Sequence, residues 1–446
     1  MRGHGAQSLT ASDADTERIE VDMPAPRGPA AEPHAQRRFA MVVAGALLAG
    51  LVAAVVLVAG PFGDGGEATI TGAILLGFSV GWALLAVLSV RLTDRPQRWA
   101  AVPAAAMAAT GAGLIVLAPD AAALTKLGWV WPPLLLALVV WMLVHARRQT
   151  PGGKWLLYPV FGVLALAAVG GGYETLRNAT DPAHALVPGT RLVDVGGHRL
   201  SIRCTGSGSP TVVLEPGLGE PASTMARWIA PDVARATTVC AYDRAGHGRS
   251  DAAPAGDADA ARDLHVLLER ARVPGPYVLA GHSLGGIFAL SYAHRYPAQV
   301  GGVVLLDSMH PHQDNAFAGT DRVLAVVPTM ARVGLARVFF DPQEGKPTTQ
   351  ASQLVRDVNE MPAELNRAAK LTSLGDRPLV VVTAGTGSAA SWAAQQNDLA
   401  ALSSKSVHRT VAGSTHASLI EDRRDAARSS RAIGDVVRAV QTARGR

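Results

Sequence analysis

Gly281-His282-Ser283-Leu284-Gly285 places a hydroxyl between two glycines. It follows the apolar run Tyr277–Ala280 and precedes the helical pattern of Gly285–Tyr296. In a chain with 46 glycines a bare G-x-S-x-G string says little. The strand–turn–helix setting gives it meaning. Such a turn lifts the serine clear of a sheet, and the flanking glycines tolerate the close approach and strained dihedrals it demands. The Leu284 N–H then opens a helix, where unpaired donors and the helix dipole favour a negative oxygen. The matching chemistry is nucleophilic attack. A serine hydroxyl is a poor nucleophile at neutral pH, so an imidazole base must come within hydrogen-bond reach, with an acid to orient it.

The elements that position this turn begin at Thr190. Arg191–Val195 and Arg199–Cys204 read as paired strands about Gly196–Gly197. Thr211–Glu215, Thr237–Ala241, Tyr277–Ala280, Val300–Leu306, Pro378–Thr383 and Val407–Val411 read as further strands. Ala222–Ala234, Asp257–Ala271, Gly285–Tyr296 and Asp425–Thr442 carry helical patterns. Alternation of this kind predicts an α/β fold, a mostly parallel sheet covered on both faces. Residues 190–446 are expected to form one domain.

Five blocks occur in a fixed order: "PTVVLEPGLGEPAS", "TVCAYDRAGHGRSD", "GPYVLAGHSLGG", "VVLLDSMHP" and "GSTHASLIED". On these the chain from about Leu192 to Val440 resembles the α/β-hydrolase family. The resemblance implies an eight-stranded, mostly parallel sheet with helices on both faces. It implies Ser283 as nucleophile and a late histidine as base, which is His416. The acid is expected either at the end of the sixth strand, where Asp307 stands, or in the loop after the seventh. That loop holds no carboxylate before Asp398, so Asp307 is preferred and Asp398 is the alternative. The second oxyanion donor is expected in the loop after "TVVLE". Here Pro216-Gly217 replaces the family's His-Gly pair, and the Leu218 N–H is the candidate beside that of Leu284. Glu215 is a candidate partner for Arg244. His282 reads as packing, His408 as structural, and Asp243, Arg244 and Asp251 as scaffold. An insertion at about 308–377 reads as a helical cap that sets substrate choice. Its apolar stretch Val323–Phe340 is expected to pack on the core, with contact to lipid as the alternative.

The implied activity is that of a serine hydrolase cleaving carboxylic esters through an acyl-enzyme. A serine at the turn counts against dehalogenase and epoxide hydrolase chemistry, for which the family uses aspartate. Amidase, thioesterase and acyltransferase reactions share the machinery, and a non-catalytic receptor or regulator would keep the same fold. The only two cysteines, Cys204 and Cys240, fall near the ends of strands that neighbour each other in the family's order. A disulfide between them is permitted if the domain faces an oxidising compartment. "HPHQDN", His310–Asn315, imitates a metal-site start without enough further ligands. "GSGSP" and "GTGS" lack the setting of a dinucleotide loop. No metal or cofactor is expected.

The first part of the chain is of another kind. At 446 residues two units are expected. Mean hydropathy is +0.19 and charged residues are 17%, low for a soluble protein of this size. Residues 1–38 read as a polar, disordered tail. Five apolar stretches follow within 39–172: about Phe39–Pro61, Ala68–Val90, Trp99–Ala118, Gly128–His145 and Trp155–Gly172. Each is close to the roughly 20 residues that cross a bilayer as a helix. An all-α transmembrane bundle of about five helices is expected, with residues 173–189 as linker. Arg37 and Arg38, then Arg91, Arg95 and Arg98, then Arg147, Arg148 and Lys154 mark alternate connections. By the positive-inside rule the N-terminus is cytoplasmic, and an odd number of spans leaves the α/β domain outside. The expected partners are the bilayer and a small-molecule ester or lipid-like substrate. The pI near 9.5 partly reflects the loop arginines and points to no nucleic acid.

Overall fold

Valine- and leucine-rich strands without polar alternation are built to be covered on both faces. In the computed structural model β3 (Thr211–Glu215), β4 (Val239–Tyr242), β5 (Tyr277–His282) and β7 (Leu379–Ala384) are buried at every position. With β1 (Thr190–Asp194), β2 (Arg199–Thr205), β6 (Val300–Leu306) and β8 (Ser406–Val411) they form one eight-stranded sheet, in the order β1-β2-β4-β3-β5-β6-β7-β8. Only β2 runs antiparallel to its neighbours, pairing with β1 and β4; every other pair is parallel. The structure describes residues 31–60, 66–149, 154–180, 187–253, 259–313, 324–335, 347–387 and 390–445.

Among the described residues the apolar front forms six α-helices: α1 (Ala31–Ala59), α2 (Glu67–Leu92), α3 (Ala101–Leu117), α4 (Ala121–Leu127), α5 (Trp131–Gln149) and α6 (Tyr158–Thr180). Among the described residues four stretches are long and apolar enough to cross a bilayer, five if α4 and α5, bent by 46°, count as one. α1 and α2 approach so closely that a Cβ on Gly77 would lie 2.2 Å from Ala54 Cα. Small residues at such contacts let helix backbones meet without large side chains. Outside that seam, Leu48, Val116, Leu134 and Leu166 stand exposed.

Two boundaries differ from the sequence expectation. α1 begins at Ala31, inside the expected tail, whose first thirty residues lie outside the described set. α6 continues to Thr180, so the expected linker starts later. Gly170–Gly172 stand at the expected boundary between bundle and linker. Gly171 makes room for the ring of Trp131, which a Cβ there would meet at 2.2 Å. These glycines serve packing, and the helix formers after them extend the turn.

In the α/β domain, α7 (Ala222–Ala226), α8 (Ile229–Val233) and α15 (Arg423–Arg444) cover one face of the sheet. α9 (Ala260–Arg270) and α10 (Leu284–Arg295) cover the other, and Leu284–Ala293 are all buried. The cap contributes α11 (Val327–Arg332) and α12 (Pro347–Ala368); α13 (Ala390–Ala400) and α14 (Ser418–Glu421) follow β7 and β8. Cys204 and Cys240 face each other in the β2–β4 register and are joined as a disulfide.

Candidate active site

The site gathers at the carboxyl ends of the parallel strands, where each chain segment leaves the sheet. β5 ends at His282, and Ser283 turns the chain into α10 with φ +53° and ψ −122°. A non-glycine residue there is strained, a feature that clusters at functional sites. The flanking glycines are steric necessities. A Cβ on Gly285 would fall 2.0 Å from Glu215 O, and one on Gly281 2.5 Å from Gly285 O. The elbow therefore lies directly against the backbone leaving β3.

Asp307 follows β6 with φ +44° and a nearly buried side chain. Its Oδ2 lies 2.6 Å from His416 Nδ1. Its Oδ1 accepts from Ala384 N at 3.0 Å and from Trp392 Nε1 at 2.9 Å. Burial works to raise the Asp307 pKa. The hydrogen bonds from His416, Ala384 and Trp392 outweigh it and hold the carboxyl below its ordinary value. An ionised carboxylate only accepts, so His416 Nδ1 carries the proton and Nε2 is left as the basic nitrogen. The His416 side chain is 45% exposed against 2% for Asp307, so the imidazole is anchored at one edge and open at the other. Asp398, the alternative acid, sits exposed on α13, and among the described residues it shares no hydrogen bond or ion pair with His416, whose partner is Asp307. Among the described residues the Ser283 hydroxyl has no hydrogen-bond partner; such bonds often tighten only with substrate bound.

His282 does more than pack. It is buried, its ring centroid lies 4.5 Å from that of His416, and its Nε2 is 3.1 Å from His416 O. Its Nδ1 is 3.5 Å from Glu220 Oε2. Burial opposes both charges, yet the pairing holds Glu220 below its ordinary value and His282 above its own. Glu220 in turn accepts from Gly217 N at 2.8 Å. His282 thus ties the His416 loop to the loop after β3.

That loop carries Leu218, whose N–H has no backbone acceptor among the described residues. Leu284 is the first residue of α10, so its N–H has no intrahelical acceptor either. The expected Glu215–Arg244 pairing is electrostatic only, with no hydrogen bond between the two among the described residues. Both Glu215 oxygens accept from Tyr242 Oη, at 2.8 and 2.9 Å. Arg244 donates instead to Pro216 O at 2.7 Å, to Gly217 O at 2.9 Å and to Asp357 Oδ2 at 3.0 Å. Asp357, on α12, also accepts from Gly219 N at 2.7 Å and lies 3.1 Å from His247 Nε2. Burial pushes its pKa up, but Arg244 and His247 hold it well below the carboxylate range. Nothing in the sequence singles out Asp357, Glu220 or Trp392. Only the fold brings them to these loops.

Glu215 gives a pH prediction. Burial lifts its pKa from 4.5 to about 7, although Arg244 and Tyr242 pull it down. The folded state then holds a proton that the unfolded chain has lost. This stabilisation is complete below about pH 4.5 and is lost as pH rises through about 7, on the order of 3 kcal/mol in all. Thermal melts from pH 5 to 8 are expected to show stability falling with pH, and Glu215→Gln should flatten that slope.

A family model described as alpha/beta hydrolase fold matches residues 210–332. "Putative carbamate hydrolase RutD" of Variovorax paradoxus is 30% identical over 189 residues, 39% of this chain and 70% of that one. The pimeloyl-acyl-carrier-protein methyl ester esterase of Chromobacterium violaceum is 37% identical over 107 residues, 24% of this chain and 40% of that one. A solved thermophilic esterase from Thermogutta terrifontis aligns with a TM-score of 0.44 at 21% identity, over 55% of this chain and 94% of that one. The chain spans about two-fifths of the first curated relatives it matches, 42% and 39% of their lengths. The chain belongs to the α/β hydrolase family.

Proposed function

We propose that this protein is a membrane-anchored serine hydrolase that cleaves carboxylic esters through an acyl-enzyme. The observation that carries the reading is the hydrogen bond of 2.6 Å between Asp307 and His416, beside the elbow that bears Ser283. His416 Nε2 takes the proton from Ser283 Oγ as the oxygen attacks the ester carbonyl carbon. Asp307 keeps Nδ1 protonated and stabilises the imidazolium that forms. The carbonyl electron pair moves to oxygen, where the N–H groups of Leu218 and Leu284 receive it. Collapse breaks the bond to the alkoxy group, which leaves as alcohol with the proton from His416. Water then repeats the sequence on the acyl-enzyme and frees the acid. The esterase relative supports ester cleavage over other acyl transfer.

Residues 39–172 act as the anchor, with the N-terminus in the cytoplasm and residues 190–446 outside. The exposed leucines and valines of the bundle support a lipid environment. α2 runs from Glu67 to Arg91 over roughly 36 Å, so its two ends face opposite sides. The arginine connection belongs to one side and the cap to the other. The disulfide Cys204–Cys240 supports an oxidising compartment.

A fluorophosphonate probe applied to intact membranes tests both halves of the proposal. A membrane-impermeant probe should label the protein without lysis, and esters of rising acyl length should compete. Labelling only after permeabilisation would reverse the orientation, and no labelling under either condition would remove the hydrolase reading.

A further inference from the structure

Met361, Leu365 and Ala368 of α12 pack on the core of the α/β domain, whereas α11, the described helix of the stretch Val323–Phe340, is seated on the helical bundle. Arg332 of α11 pairs with Glu67, the first residue of α2, through both carboxylate oxygens, one at 3.0 Å. One turn along α2, Thr71 Oγ1 lies 2.8 Å from Thr329 Oγ1. α6 closes in from the side. A Cβ on Gly170 would fall 2.2 Å from Val333 O, and one on Gly171 3.2 Å from Arg332 O. These contacts join helices far apart in the chain and leave no space between α6 and the end of α11.

α11 also packs on α12, where Ala331 and Ala351 lie fully buried in one cluster with Val327. α12 then reaches the loop after β3. Gly219 sits so close to Leu354 that an added Cβ would touch it at 3.4 Å, and Asp357 takes the Gly219 N–H and the Arg244 guanidinium. Arg244 grips the two carbonyls that precede Leu218. Between a bundle helix and the backbone of the oxyanion loop stand only two short stretches of packed helix.

We propose that Glu67 and Arg332 are positioning residues for the reaction: the bundle holds the cap, and through Asp357 the cap fixes the loop that carries the Leu218 amide. This rests on the serine-hydrolase reading above. Neither residue touches substrate. Their effect passes through α11 and α12 to the placement of one oxyanion donor, so it should fall on kcat and spare KM for a short soluble ester.

A double-mutant cycle on the full-length protein in lipid nanodiscs tests this, with Glu67→Gln, Arg332→Gln and the double variant. Each single change is expected to lower kcat about tenfold with KM little changed. The double variant should be no worse than either single, because both remove one interaction. Amide exchange over 217–220 and 347–368 should rise in all three. Unchanged kcat, losses that multiply to about a hundredfold, or exchange unaltered in those segments would each overturn the proposal. Should Arg332→Gln fail to fold, Thr329→Val removes only the hydroxyl contact and must move kcat and exchange the same way, by less. Exchange needs no turnover, so a wild-type protein that hydrolyses no ester would sink the hydrolase reading and leave the mechanical result standing.

Discussion

Ser283→Ala is expected to lower kcat for ester hydrolysis by about a millionfold while the protein still folds and binds ester. The figure follows from what the residue does. In the proposed mechanism the hydroxyl is the atom that bonds to the carbonyl carbon, and losing a serine nucleophile alone costs about as much as losing a whole triad. The residual rate above water should come from the Leu218 and Leu284 amides and from binding. KM should therefore change little. The check is steady-state kinetics with a chromogenic ester, alongside loss of fluorophosphonate labelling. A variant that kept a tenth of the wild-type rate would show that another group attacks.

Asp307→Asn should be the second largest loss, about 10⁴-fold in kcat. The Ala384 and Trp392 donors face Oδ1 and His416 faces Oδ2. An asparagine would keep its carbonyl toward the two donors and turn its NH₂ to the imidazole. That favours the tautomer with Nδ1 unprotonated and Nε2 protonated, which cannot take a proton from Ser283. Asp398→Asn, on the exposed side of α13, should stay within about twofold, as surface changes distant from a site usually do. Kinetics of the two variants side by side separate the two acids the sequence left open. A reversed order would transfer the role to Asp398.

What could be read in the sequence follows from where information is local. Ser283, Asp307 and His416 each stand within a few residues of an apolar strand, inside blocks whose order is itself a signature. Strand ends are thus legible, and with them the ends that converge on the sheet's carboxyl edge. The disulfide was legible only as a permitted pair, since its formation depends on two strands lying side by side. Asp357 was illegible. It is one carboxylate on an amphipathic helix, and nothing near it tells which distant arginine it will meet. Glu215 was assigned a plausible cation and found a phenol, because the β3–β4 register puts Tyr242 nearer its carboxylate. Gly170 and Gly171, at the expected end of the bundle, are seats for Val333 and Trp131. The seating of α11 on α2 and α6 joins parts more than 150 residues apart, and no periodicity in either part announces the other.

The left-handed backbone at Ser283 has a consequence for how such a protein ages in evolution. The fold would be content with glycine there: the side chain is strained into place, and its hydroxyl has no partner among the described residues. If Ser283 is the nucleophile proposed above, the residue on which chemistry depends is one that thermodynamic robustness would discard, so a copy released from selection for turnover has a downhill route to a sturdier, inert homologue.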